Sequence, residues 1–100
     1  MTHKYYATFF HGNTQYVIRF RSNEIWAKTQ KIYEETDELG YGRSYPEEKL
    51  IAEAAFGDSR KTYMFDFDIL NGKCVFISRA EFKKLRARGI PRWKPVKERI

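Results

Sequence analysis

Residues 79–100 hold nine lysines and arginines against only Glu81 and Glu98, whereas residues 1–50 hold seven basic and seven acidic residues and balance. The positive excess is therefore local, and a local excess points to an anionic partner such as nucleic acid, an anionic membrane surface or an acidic protein. Arg79, Lys83 and Arg86 recur at helical spacing along one side of a segment, and Lys84 and Arg88 along another. Arg92, Trp93, Lys94, Lys97 and Arg99 continue the run. Such cations contact phosphates without regard to base sequence, and an aromatic among them is of the type that stacks on a base. Two structural explanations compete. Cations near a helix C-terminus are favoured by its dipole, and Glu34, Glu35, Asp37 and Glu38 crowd the end of an earlier helical stretch, where a basic tail folding back neutralises them.

Other groupings bear on catalysis. Asp66 and Asp68 stand two apart in an alternating run, so both carboxylates leave the same side of a strand, as the ligands of a two-metal phosphoryl-transfer site must. Two carboxylates leave such a site short of ligands, and no spacing marks a third; acids opposite arginines on an exposed sheet face account for the pair equally well. Gly40-Tyr41-Gly42-Arg43-Ser44 offers free amides and a cation to an anion ahead of a helix. It lacks the Gly-Lys-Ser/Thr ending of a P-loop and does not open a βαβ unit. His3, His11 and Cys74 show no zinc-ligand spacing, and Cys74 alternates with the core-facing positions of its strand, as a small buried thiol does. The sequence nominates no catalytic residue, no metal ligand and no cofactor site. A non-enzymatic binding protein is expected, with a small metal-dependent nuclease using Asp66 and Asp68 as the enzymatic alternative.

The elements that must hold these side chains follow from period and punctuation. Residues 4–10 and 15–21 are strand-like runs flanking Gly12-Asn13, a two-residue hairpin turn. That turn sets Phe9 opposite Tyr16, Ala7 opposite Ile18 and Tyr5 opposite Phe20, which makes one side of the ribbon wholly apolar. The other side carries Tyr6, Thr8, Phe10, Gln15, Val17, Arg19 and Arg21. Left open, it is a docking surface for a protein or a second copy; Tyr6, Phe10, Val17, Arg19 and Arg21, with the acidic Glu34, Glu35, Asp37 and Glu38, are its candidate residues. The last helix is the alternative cover for this face.

Residues 24–39 read as a helix with Ile25, Trp26, Thr29, Ile32, Tyr33, Thr36 and Leu39 on one stripe and Gly40 as its stop. Ser44 and Glu47 form a capping box for a second helix that buries Leu50, Ile51, Ala54 and Ala55 and ends at Gly57. Residues 61–69 alternate, with Tyr63, Phe65, Phe67 and Ile69 on one face, and Asn71-Gly72 joins them to residues 74–77 as a second hairpin. Ser78 and Glu81 open a third helix, to residue 88, that buries Phe82 and Leu85 and stops at Gly89. The expected class is α+β in the order ββααββα: a four-stranded antiparallel sheet from two β-hairpins with helices packed on one face. Residues 1–90 form the domain, and 91–100, basic and with two prolines, form a tail that runs extended over the surface or is mobile.

At 100 residues and 42% hydrophobic composition the chain closes one core and no more. Its single cysteine forms no internal disulfide, and the first residues lack the apolar length of a signal peptide or spanning helix. Together these favour a cytoplasmic setting without a membrane role. In size and basicity the chain falls among accessory proteins of phages and mobile elements, including anti-CRISPR inhibitors, an association by size rather than by motif. Two functions are expected: a nucleic-acid or nucleoprotein binder using the 79–88 helix and the tail, or a protein-protein interaction module, inhibitor or homodimer, using the outer face of the sheet.

Overall fold

The computed structural model describes residues 3–22, 46–66 and 74–98. Strands β1 (His3–His11), β2 (Thr14–Ser22), β3 (Val75–Phe76) and β4 (Arg92–Trp93) form one sheet in the order β3-β1-β2-β4. Helices α1 (Pro46–Phe56) and α2 (Arg79–Ala87) accompany it, with 3-10 turns at Lys61–Met64 and Val96–Glu98. The helix expected over 24–39, the Ser44 cap, Asp68 and the Asn71-Gly72 turn lie outside the described residues.

The centre of the sheet is the expected first hairpin. Gly12 and Asn13 both take positive φ, 58° and 65°, the two left-handed residues that a type I′ turn demands. Tyr5 pairs with Phe20, Ala7 with Ile18 and Phe9 with Tyr16, as that turn dictates. Alternation then sends Ala7, Phe9, Ile18 and Phe20 to one face, where they pack on Leu50, Ile51, Ala52 and Ala55 of α1. Ala54, expected inside, is only half-buried, and Ala52 takes the interior place.

The opposite face is covered as well. Val17 is fully buried under Phe82 and Leu85 of α2, and Tyr6, Ile77 and Ile90 close the margin. Helix α2 starts where its capping box predicts, with Ser78 Oγ accepting the Glu81 N–H at 3.0 Å. Helices packed on one face were expected; they occupy both faces, because the ribbon is apolar on both sides at its middle and each side needs cover.

Among the described residues, the first half of the expected second hairpin is not a strand. Residues 61–64 turn as a 3-10 segment, Tyr63 is 76% exposed and Thr62 is buried, the reverse of the alternation read from the sequence. Asp58 captures the Arg60 N–H through its side chain at 2.8 Å, and the Phe65 N–H closes on the Thr62 carbonyl, so local bonds replace a ladder. Of the predicted apolar face, Phe65 alone is described as buried; it fills the space between Phe9 and Phe56. Strand β3 pairs antiparallel with β1, at Ala7↔Phe76 and Thr8↔Val75.

The sheet is mixed rather than antiparallel because β4 joins β2 in parallel, at Val17↔Arg92 and Ile18↔Trp93. Strands β3 and β4 run the same way on opposite edges, and α2 carries the chain between them. Three strand spacings amount to about 14 Å, and the nine residues of α2 reach about 13 Å. One short helix lying across the ribbon therefore makes the crossing, and it delivers a parallel strand. Residues expected in a surface tail are thereby built into the fold. The Trp93 ring meets Phe9, His11, Tyr16 and Phe56 at centroid distances of 5.0–5.5 Å, and its Nε1–H donates to the Ala55 carbonyl at 3.0 Å. Replacing Trp93 with Ala is expected to cost about 3 kcal/mol, read as a lowered urea midpoint. A chain ending at Gly89, which loses β4 altogether, is expected to melt earlier still.

Candidate anion-binding face

Helix α2 turns Phe82 and Leu85 inward and leaves Arg79, Lys83, Lys84, Arg86 and Arg88 exposed. The amphipathic spacing that docks the helix also fixes these cations on its outer side. Arg86 Nη1 donates to the Ile90 carbonyl at 3.0 Å, which ties the end of the helix to the approach to β4. The four other cations of α2 have no ion-pair partner among the described residues.

The sheet adds a second group. Tyr6 and Val17 lie under α2, so Lys4, Arg19 and Arg21 share their face by alternation, and all three are exposed. Lys4 stands directly opposite Arg21, and Arg19 opposite Tyr6. Like charges opposed across a ladder are destabilising, so the ribbon carries an electrostatic cost at this end that a bound anion relieves. Lys4 Nζ lies over the Tyr6 ring, 6.0 Å from its centroid. A cleft of about 440 Å³ opens at this end, lined by Lys4, Arg19, Phe20 and Arg21 of the hairpin, Leu50, Glu53 and Ala54 of α1, and Pro95, Lys97 and Glu98, so the hairpin cations also border the α1 side.

The predicted nucleic-acid-binding residues thus fall into three groups. Arg79, Lys83, Lys84, Arg86, Arg88, Lys94 and Lys97 are exposed. Arg92 is half-buried and held by Glu98 at 2.9 Å. Trp93 is committed to the aromatic cluster, with its N–H bonded inside. It is half-buried and packs on the α1 side of the sheet, opposite the cations of α2, beside Ile18. Of the predicted protein-binding residues, Tyr6 and Val17 pack beneath α2, Phe10 is half-buried, and Arg19 and Arg21 face solvent. Glu34, Glu35, Asp37 and Glu38 lie outside the described residues. Sequence reasoning overlooked Lys4, although its place two residues before Tyr6 puts it on the arginine-bearing face.

The chemistry-bearing residues elsewhere have structural duties. Asp66 Oδ2 accepts the Asn13 N–H at 2.8 Å and so braces the hairpin turn. His11 Nδ1 lies 2.8 Å from the Met64 carbonyl, an N–H···O bond in the matching tautomer. Among the described residues, no three His, Cys, Asp or Glu side chains are grouped to hold a metal ion, and no helix is long and apolar enough to cross a membrane. No protein-family model, curated protein or solved structure matches the chain significantly.

Cys74 is buried, and desolvation, with the nearby Glu48 and Glu47 carboxylates, pushes its thiol far above the usual cysteine range. A raised pKa keeps the sulfur protonated, so the nucleophilic thiolate is scarce throughout the range in which the chain is handled. At pH 8 the folded chain is expected to resist iodoacetamide for hours and to react within minutes in denaturant, as followed by mass spectrometry.

Proposed function

We propose that the chain is a non-enzymatic nucleic-acid binder whose contact surface is the α2 side of the sheet. The observation that carries this reading is that two separate elements each leave exposed cations on the side of the sheet that α2 covers: α2 and its C-cap supply Arg79, Lys83, Lys84, Arg86 and Arg88, and strand alternation assigns Lys4, Arg19 and Arg21 of the hairpin to the same side. Against them, the described acids beside these cations are Glu81, in the first turn of α2 where the helix dipole favours it, and Glu53 and Glu98 in the cleft at the hairpin end, Glu98 being paired with Arg92. Cations held on rigid elements, without ion-pair partners among the described residues, match a polyphosphate, whose condensed counterions they release on binding. The rival protein-docking surface is supported less well, because Tyr6 and Val17 already serve as the seat of α2. Composition supports a cytoplasmic setting, and size class supports the association with phage-borne accessory proteins.

Fluorescence anisotropy with labelled nucleic acid tests the proposal. Binding is expected to weaken as salt rises, with a log–log slope of several units. The double variant Lys83→Gln, Arg86→Gln is expected to lose affinity on the order of tenfold and to flatten the slope by nearly 2 units, about 0.9 per phosphate contact on duplex DNA. Unchanged affinity in that variant, with its thermal unfolding intact, sinks the assignment to α2. Absence of binding by the parent chain at low salt sinks the function.

A further inference from the structure

We infer that the ligand class is duplex nucleic acid, gripped through its phosphates by α2 and the open end of the hairpin together, and not a single strand held by stacking. This deepens the reading above and rests on it. Single-strand binding without sequence preference draws its affinity from aromatic faces on which bases stack, set along a basic groove. The aromatic that the sequence places among the cations, Trp93, is half-buried on the α1 side of the sheet, with its ring in edge contact with Phe9, His11, Tyr16 and Phe56 and its N–H bonded to Ala55. Of the other described aromatics of this face, Tyr6 packs against Phe82 at a centroid distance of 5.2 Å, and Phe10 is half-buried beside the hairpin turn, at the opposite end of the ribbon from Lys4 and Arg21. The only large hydrophobic residue exposed among the described residues is Tyr63; its turn packs against α1, on the opposite side of the sheet.

What this face offers instead is fixed charge. The cations from Arg79 to Arg88 extend over about 13 Å of helix axis at 1.5 Å per residue, comparable with the roughly 12 Å width of a major groove. Lys4 and Arg21 form a cross-strand pair on the same face, with Arg19 one position along on its own side. A duplex presents two rows of phosphates at set spacing, so rigid cation groups on two elements engage both rows without ordering the ligand. A flexible single strand must be ordered to reach them and gains no stacking in return. The exposed residues of α2 other than its cations are alanines, Ala80 and Ala87, which offer no hydrogen bond to a base edge. Apart from the cations themselves, which can also donate to guanine, the helix presents nothing that reads a base edge, so recognition by shape and charge predominates.

The experiment is a competition on the full chain at a fixed near-physiological salt concentration. A labelled 20-base-pair duplex is displaced by unlabelled duplex DNA, duplex RNA and the matching single strands, for the parent chain and for Arg19→Gln, Arg21→Gln. Either duplex is expected to compete at least tenfold better than its single strands. The double variant is expected to flatten the salt slope for duplex by nearly 2 units while melting at or slightly above the parent's temperature, since Arg21→Gln removes the charge opposed to Lys4. Single strands competing as well as duplex overturn the inference while leaving the nucleic-acid reading intact, and so does a folded Arg19/Arg21 variant with the parent's slope. Failure of the parent chain to bind the labelled duplex or any single strand at low salt removes the underlying reading itself.

Discussion

Everything in this molecule is hung on the register of a two-stranded ribbon. Because side chains alternate with a period of two, a slip of one residue between β1 and β2 would exchange the α1 face for the α2 face. The left-handed pair at Gly12 and Asn13, braced by Asp66, prevents that slip. With it in place, Ala7, Phe9, Ile18 and Phe20 meet α1, Val17 and Tyr6 meet α2, and Lys4, Arg19 and Arg21 fall on the same side as the basic helix. The charge pattern proposed to bind phosphate is thus a by-product of the hydrophobic pattern that docks the helix.

The second organising element is the C-terminal stretch. A basic segment with prolines has the composition of an exposed arm, yet Trp93 alone joins β1, β2 and α1 through its ring and indole N–H. Arg92 beside it pairs with Glu98 and keeps the following 3-10 turn against the body. The positive charge of this stretch is therefore carried on a surface whose geometry is set by packing, which lets cations distant in sequence act as one field.

How much of this was readable in the sequence depends on how local each signal is. The hairpin turn, the pairing of Phe9 with Tyr16, the Ser78 cap and the burial of Phe82 and Leu85 each depend on a few neighbouring residues, and each is found in place. The failures are non-local. Alternation over residues 61–69 could not reveal that Asp58 would seize the Arg60 amide and close a 3-10 turn, or that Phe65 was needed as a plug beside Phe56. The parallel β4 was invisible because it has only two residues and depends on α2 having the length to cross the sheet. For the candidate site, the α2 cations were evident from helical spacing and the hairpin arginines from alternation. That the two groups share a face required knowing which side of the ribbon α2 covers.

The brevity of β4 has a consequence for how copies of the chain treat one another. It pairs with β2 only at Val17 and Ile18, and among the described residues no other strand flanks β2 beyond them. A free strand edge invites the edge of another molecule, and a cationic side chain there is a standard deterrent to such addition. Arg19 and Arg21 stand on this stretch of β2, with Lys4 across from Arg21. Two copies approaching edge to edge would bring these charges together before any backbone bond formed, so the residues proposed to draw in a polyanion also oppose self-association into extended sheets.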